Sequence, residues 1–173
     1  MTPALRIGVS SCLLGQEVRW DGGHKLAPFL IEGLGRFVEW VPVCPEVELG
    51  MGVPRPTLRL ARRGDRLRLL ESGSGRDHTR AMRAYARRRI AQLTALELCG
   101  FVLKSGSPSC GLAGVEVHGG QDGRGLFADQ LLRAAPELPV EEEGRLVDRV
   151  VRERFLERAF AYRRLRALSA GRV

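Results

Sequence analysis

Leu5-Arg6-Ile7-Gly8-Val9-Ser10-Ser11-Cys12 is the stretch that decides the fold. A short apolar run, Leu5 to Val9, breaks into a loop of small residues that carries a cysteine. The same order recurs twice. Phe37 to Val43 runs into Cys44-Pro45-Glu46, and Phe101 to Lys104 runs into Ser105-Gly106-Ser107-Pro108-Ser109-Cys110-Gly111. Apolar runs of this length, bounded by Gly, Ser and Pro, read as strands.

Helical patterns lie between these strands. Pro28 to Leu34 reads as a short helix, with Pro at its start and Gly35 at its end. Thr79 to Leu98 reads as a long one, with Ala, Met, Tyr and Leu on one face and Arg on the other; Gly100 ends it. Strands alternating with helices predict an α/β chain, a Rossmann-like three-layer domain with a largely parallel sheet. Leu138 to Val140 is expected as its fourth core strand. Leu58-Arg59-Leu60 and Leu67-Arg68-Leu69-Leu70 alternate around Gly64-Asp65 and predict a hairpin. Val115 to Val117 reads as a short strand, 119 to 125 as a loop, and Ala128 to Ala134 as a helix. A basic amphipathic helix is expected over Val147 to Leu168. The domain reading is therefore a main unit, 1–143, and a C-terminal helical extension, 144–173.

The chain has 173 residues and 44% hydrophobic content, enough for one domain with a full core. No run approaches the roughly 18 to 20 apolar residues of a membrane helix. The N-terminus has no basic segment followed by an apolar one, so no secretory signal is read and a cytoplasmic location is expected. Four cysteines are too few for a disulfide scaffold and are expected as ligands, nucleophiles or core residues.

The net charge of +8 is unevenly spread. Residues 59–92 carry eleven arginines against Asp65, Glu71 and Asp77. Residues 144–173 carry nine against Asp148, Glu153 and Glu157. The two segments are thus +8 and +6, and the remainder is −6. Such clustering favours a polyanionic partner, RNA first among them, although solvated helix faces would look alike.

Cys12, Cys44 and Cys110 each follow a strand within a few residues. In a parallel sheet the carboxyl ends of the strands share one edge, where ligands bind. Three loops there can bring the three thiols together. Thiolates are ligands of iron–sulfur clusters and of zinc, and this spacing does not choose between them. Cys99, at the end of the long helix, reads as a core residue.

Glu46, two residues after Cys44, is placed as a general acid or base; a carboxylate favoured by a helix N-terminus is the simpler alternative. Lys104 stands out because the chain has only two lysines among its 28 basic residues. Ser107 is spaced to face the same pocket as Cys110, though loop serines often only form turns. Asp21 and His24 are read as turn and surface residues, Glu141 to Glu143 as a solvated turn.

These segments are recognisable together. Ile7-Gly8-Val9-Ser10-Ser11-Cys12, Arg19-Trp20-Asp21-Gly22-Gly23-His24-Lys25, Val43-Cys44-Pro45-Glu46 through Pro54-Arg55-Pro56, and Lys104 through Gly111 resemble the thiouracil desulfidase family over about residues 5–143. The segment from Leu138 to Arg163 is similar to a subgroup often fused to a second domain and associated with removing sulfur from 4-thiouridine in tRNA. The chain ends where that domain would begin. The resemblance implies a [4Fe-4S] cluster on Cys12, Cys44 and Cys110, proton transfer by Glu46, and assistance at the pyrimidine from Ser107 and Lys104. It implies a non-redox hydrolytic reaction that releases hydrosulfide, with tRNA or a free thiopyrimidine as substrate. A non-catalytic, zinc-containing RNA-binding module is the alternative from another class.

Overall fold

The computed structural model describes residues 5–118 and 120–171. Its centre is a four-stranded parallel sheet in the order β2-β1-β5-β8, built from β1 (Leu5–Ser10), β2 (Val38–Val43), β5 (Gly100–Leu103) and β8 (Val140–Glu142). Register pairs Leu5 with Val38, Ser10 with Val43, Val9 with Val102, and Leu103 with Glu142. Gly8 lies where β1 passes the Phe101 ring, and a Cβ there would overlap that ring. Glycine lets a large aromatic fill the sheet's centre.

A second sheet has the order β4-β3-β6-β7. The predicted hairpin is present, β3 (Leu58–Arg63) against β4 (Arg66–Glu71), turning at Gly64-Asp65. β6 (Val115–Val117) joins β3 in parallel through Leu60 and Val117, and β7 (Gly120–Gly123) pairs antiparallel with β6. The segment expected as the loop 119–125 is therefore largely strand; residue 119 lies outside the described residues.

The described residues also form four α-helices: α1 (Pro45–Glu48), α2 (Thr79–Ala95), α3 (Leu126–Ala134) and α4 (Arg149–Ser169). Asp148 starts α4 by accepting hydrogen bonds from the Val150 and Val151 amides, at 2.7 and 3.3 Å. The helix expected over 28–34 ends in a π-helical turn, Leu30–Leu34. The fourth strand lies two residues beyond its expected position, because pairing with β5 sets its register.

Two apolar clusters sandwich the parallel sheet. On one face Phe101 and Leu103 pack with Met82, Tyr85 and Ile90 of α2, Phe127 and Leu131 of α3, and Leu60 and Leu69 of the second sheet. On the other, Leu5, Ile7 and Val102 pack with Leu30, Leu34, and Phe155 and Ala159 of α4. Cys99 is buried in this second cluster, which also takes in Cys12, as expected of a core residue. No helix among the described residues is long and apolar enough to cross a membrane.

Candidate active site

β1 sits in the middle of the sheet, with β2 on one side and β5 on the other. Chain order reverses there, which opens a crevice at the carboxyl ends of these strands. A cavity of about 370 Å³ occupies that place. Cys12, Cys44, Cys110, Glu46, Lys104 and Ser107 all line it. The six residues singled out in the sequence thus meet in one cavity.

Each cysteine is fixed by a different device. Cys12 lies in the 3-10 turn Ser11–Leu14 at the end of β1. Cys44 precedes α1, and backbone N–H groups of Val47 and Glu46 turn toward its sulfur. Cys110 is held by the loop 104–111. There the Ser107 Oγ accepts the amides of Ser109 and Cys110, at 3.2 and 3.0 Å. The first amides of α3 then bond back onto this loop, Leu126 to the Pro108 carbonyl and Phe127 to the Ser109 carbonyl. Those amides have no partner inside the helix, so the helix start and the cysteine loop satisfy each other. Gly125 makes the approach possible, since a Cβ there would overlap the Ser109 carbonyl.

Burial pushes all three thiols above the ordinary thiol range. Cys12 is raised to about 11, by burial first and by the neighbouring Cys44 second. Burial dominates at Cys44 as well. At Cys110 burial is again the main cause; Glu46, Cys44 and Cys12 add to it, while a hydrogen bond from Ser10 opposes it. All three line the same cavity. Thiols so shifted stay protonated near neutral pH until something compensates the thiolate charge, as a metal centre does.

Glu46 is gripped at both oxygens. The Arg55 Nε donates to its Oε2 at 2.8 Å, and the Ser109 hydroxyl donates to its Oε1 at 2.9 Å. Arg55 is itself buried, with only 4% of its side chain exposed. Its remaining donors reach the Gly52 and Val18 carbonyls at 2.9 and 2.8 Å. Lys104 forms a second network: its Nζ donates to Glu143 Oε1 at 2.6 Å, to the Ser105 carbonyl at 2.8 Å and to the Ser105 hydroxyl at 3.0 Å. The Ser105 amide closes it on Glu143 Oε2 at 2.7 Å. Burial pushes the Glu143 carboxyl up, but the bonds from Lys104 and Ser105 outweigh it and hold the group below its ordinary range.

Glu48 braces this site from outside. It accepts the Cys44 amide on Oε1 and the Tyr85 hydroxyl on Oε2, and pairs in charge with Arg89 at 2.8 Å, tying α1 to α2. Asp21 accepts the Gly23 amide in a turn, as read from the sequence, and the exposed His24 accepts the Leu26 amide.

Residues 7–143 match the family model of 2-thiouracil desulfurase. The chain belongs to this family. The match ends where the Glu141–Glu143 segment closes on the site and before α4. The solved structure of the [4Fe-4S]-dependent thiouracil desulfidase TudS superposes with a TM-score of 0.69 at 32% identity, over 82% of this chain and 93% of that one. No curated protein sequence matches the chain at significant similarity.

Several residues of this desulfurase-family site had no role in the sequence reading. Arg55 stood only at the Pro54-Arg55-Pro56 end of a segment quoted for the family resemblance, with no role attached. Ser109 and Ser10 were ordinary loop serines. Glu143 was expected in a solvated turn, and the structure overturns that: it is half-buried and bonded to Lys104, while Glu142 accepts the Leu112 amide at 2.7 Å. Charges that find partners 39 and 30 residues away leave the solvent.

Proposed function

We propose that this chain is a [4Fe-4S]-dependent, non-redox desulfidase that converts a thiopyrimidine to its oxo form with release of hydrosulfide. Three thiols from three strand ends, two buried and Cys44 half-buried, face one cavity with Glu46 and carry this reading. Family membership and the likeness to TudS support it.

The donor set fits such a cluster. Cys12, Cys44 and Cys110 would hold it, and no histidine lines the cavity. Among the described residues no group of three His, Cys, Asp or Glu is arranged to hold a single metal ion. Held by these three thiolates, the cluster would supply Lewis acidity toward the substrate sulfur.

The protein's own groups supply the rest. Glu46, its carboxylate oriented by Arg55 and Ser109, takes a proton from water attacking the thiocarbonyl carbon and returns it to the departing sulfur. The C=S double bond is replaced by C=O, the second proton of the water leaves to solvent, and no net oxidation or reduction occurs. Ser107 uses its oxygen to hold Cys110, which leaves its hydroxyl proton for an acceptor on the pyrimidine. Lys104 spends its ammonium donors on Glu143 and Ser105, so it serves as a fixed positive charge.

The finer reading is that the thiopyrimidine is 4-thiouridine in tRNA. Exposed Arg87 and Arg88 on α2 and the arginine-rich α4 support it, since such surfaces bind phosphate. Anaerobic reconstitution followed by assay on 2-thiouracil and on thiolated tRNA tests both levels. A brown protein that releases hydrosulfide is expected. Cys12→Ala, Cys44→Ala and Cys110→Ala should each lose colour and activity, and Cys99→Ala should keep both. A colourless zinc protein, or a loaded protein inert on every thiopyrimidine, overturns the reading.

A further inference from the structure

We propose that the mouth of the cavity is a nucleotide subsite, where the Trp20 indole stacks on a base adjoining the reacting thiopyrimidine and Arg19 and Lys25 take its phosphate. This rests on the desulfidase reading for the position of the reacting ring.

Trp20 lines the cavity that holds the cysteines, yet it is 45% exposed, while Cys12 and Cys110 are buried. It therefore stands at the rim and the thiols at the floor. Among the described residues no ring or cation is recorded stacking on it. An indole is the largest apolar side chain and is normally covered. Its placement is not loose. Trp20 follows Arg19 in a tight turn, with the Gly22 amide on the Arg19 carbonyl at 3.0 Å and the Arg19 amide on the Gly23 carbonyl at 3.1 Å. The Trp20 carbonyl accepts the Arg55 amide at 2.9 Å. The residue that orients Glu46 also pins the backbone under the indole, so the platform is built in register with the reacting group.

Charge completes the subsite. Arg19 and Lys25 both line the cavity, and Lys25 makes no ion pair among the described residues. Asp21 is the nearby anion, 3.8 Å from Arg19, and its Oδ1 is already engaged by the Gly23 amide. The rim thus keeps a net positive charge beside an open aromatic face. A free thiouracil has neither a phosphate for those cations nor a second ring for the indole. A polynucleotide has both, and base stacking on an aromatic is tolerant of base identity.

The test compares 2-thiouracil turnover by the reconstituted enzyme with its inhibition by a short, unthiolated uridine oligonucleotide. The oligonucleotide should inhibit wild type, and Trp20→Ala should weaken that inhibition about tenfold or more, relative to any change in KM for thiouracil. Trp20→Phe should restore most of it, because a ring remains. Equal inhibition of wild type and Trp20→Ala, or no inhibition of wild type, overturns the subsite while thiouracil turnover stands. Absence of thiouracil turnover falls on the desulfidase reading instead. Should Trp20→Ala fail to take up a cluster, Lys25→Gln carries the test: the salt dependence of inhibition should flatten, and an unchanged slope overturns the proposal.

Discussion

The Arg55 guanidinium meets Glu46 Oε2 through both Nε and Nη2, each at 2.8 Å, with 4% and 15% of the two side chains exposed. Nine residues apart in sequence, the two form an ion pair almost out of water. The pair fixes where the carboxylate points and ties the loop at 52–55 to the start of α1.

Arg55→Ala should therefore be costly twice over. Removing one partner of a buried pair leaves the other charge uncompensated, at about 3 kcal/mol. In a chain of this size that lowers the melting temperature by about 6–12 °C, readable by circular dichroism. Turnover should fall further than stability explains, because Glu46 loses its orientation. Arg55→Lys should recover stability more than activity, since an ammonium cannot span the Glu46 carboxylate and two carbonyls at once. Full activity in Arg55→Ala would show that Glu46 needs no such support.

Glu143 predicts an acid limb. Its folded carboxyl titrates below the ordinary value of 4.5, held there by Lys104 and Ser105 against the cost of burial. Its stabilisation is thus complete above about pH 4.5 and is lost as pH falls through the lower folded value. Urea unfolding of wild type and Glu143→Gln should show a gap at pH 7 that narrows below pH 4.5. A gap constant down to pH 3 would mean that the carboxylate charge is immaterial.

The α2 surface predicts a salt signature. Arg87→Glu with Arg88→Glu should raise KM for thiolated tRNA by more than it changes KM for thiouracil. The slope of log affinity against log salt should shrink by about two if both arginines meet phosphates. Equal effects on the two substrates would remove α2 from the RNA path.

The placement of the site was legible because its signals are local. Strand, break and cysteine repeat three times within short windows, and strands separated by helices imply one carboxyl edge. The second sheet was only half legible. Its hairpin is marked by alternation around Gly64-Asp65, but β7 is Gly120 to Gly123 and carries few residues that favour strands. The residues that tune the site were the least legible. Arg55, Ser109 and Glu143 act through partners 9, 63 and 39 positions away. An arginine in a turn and a glutamate after a strand look solvated until the fold brings their counterparts to them.

That the three thiols come from the ends of three different strands has a bearing on biogenesis. No continuous piece of chain shorter than the span from Cys12 to Cys110 contains the set, and no local turn or helix can present it. The proposed centre would come into being only when β1, β2 and β5 are paired and α3 has closed on the last loop. A cluster held by this set would be loaded only on finished molecules, and its presence would certify that the chain carrying it has folded.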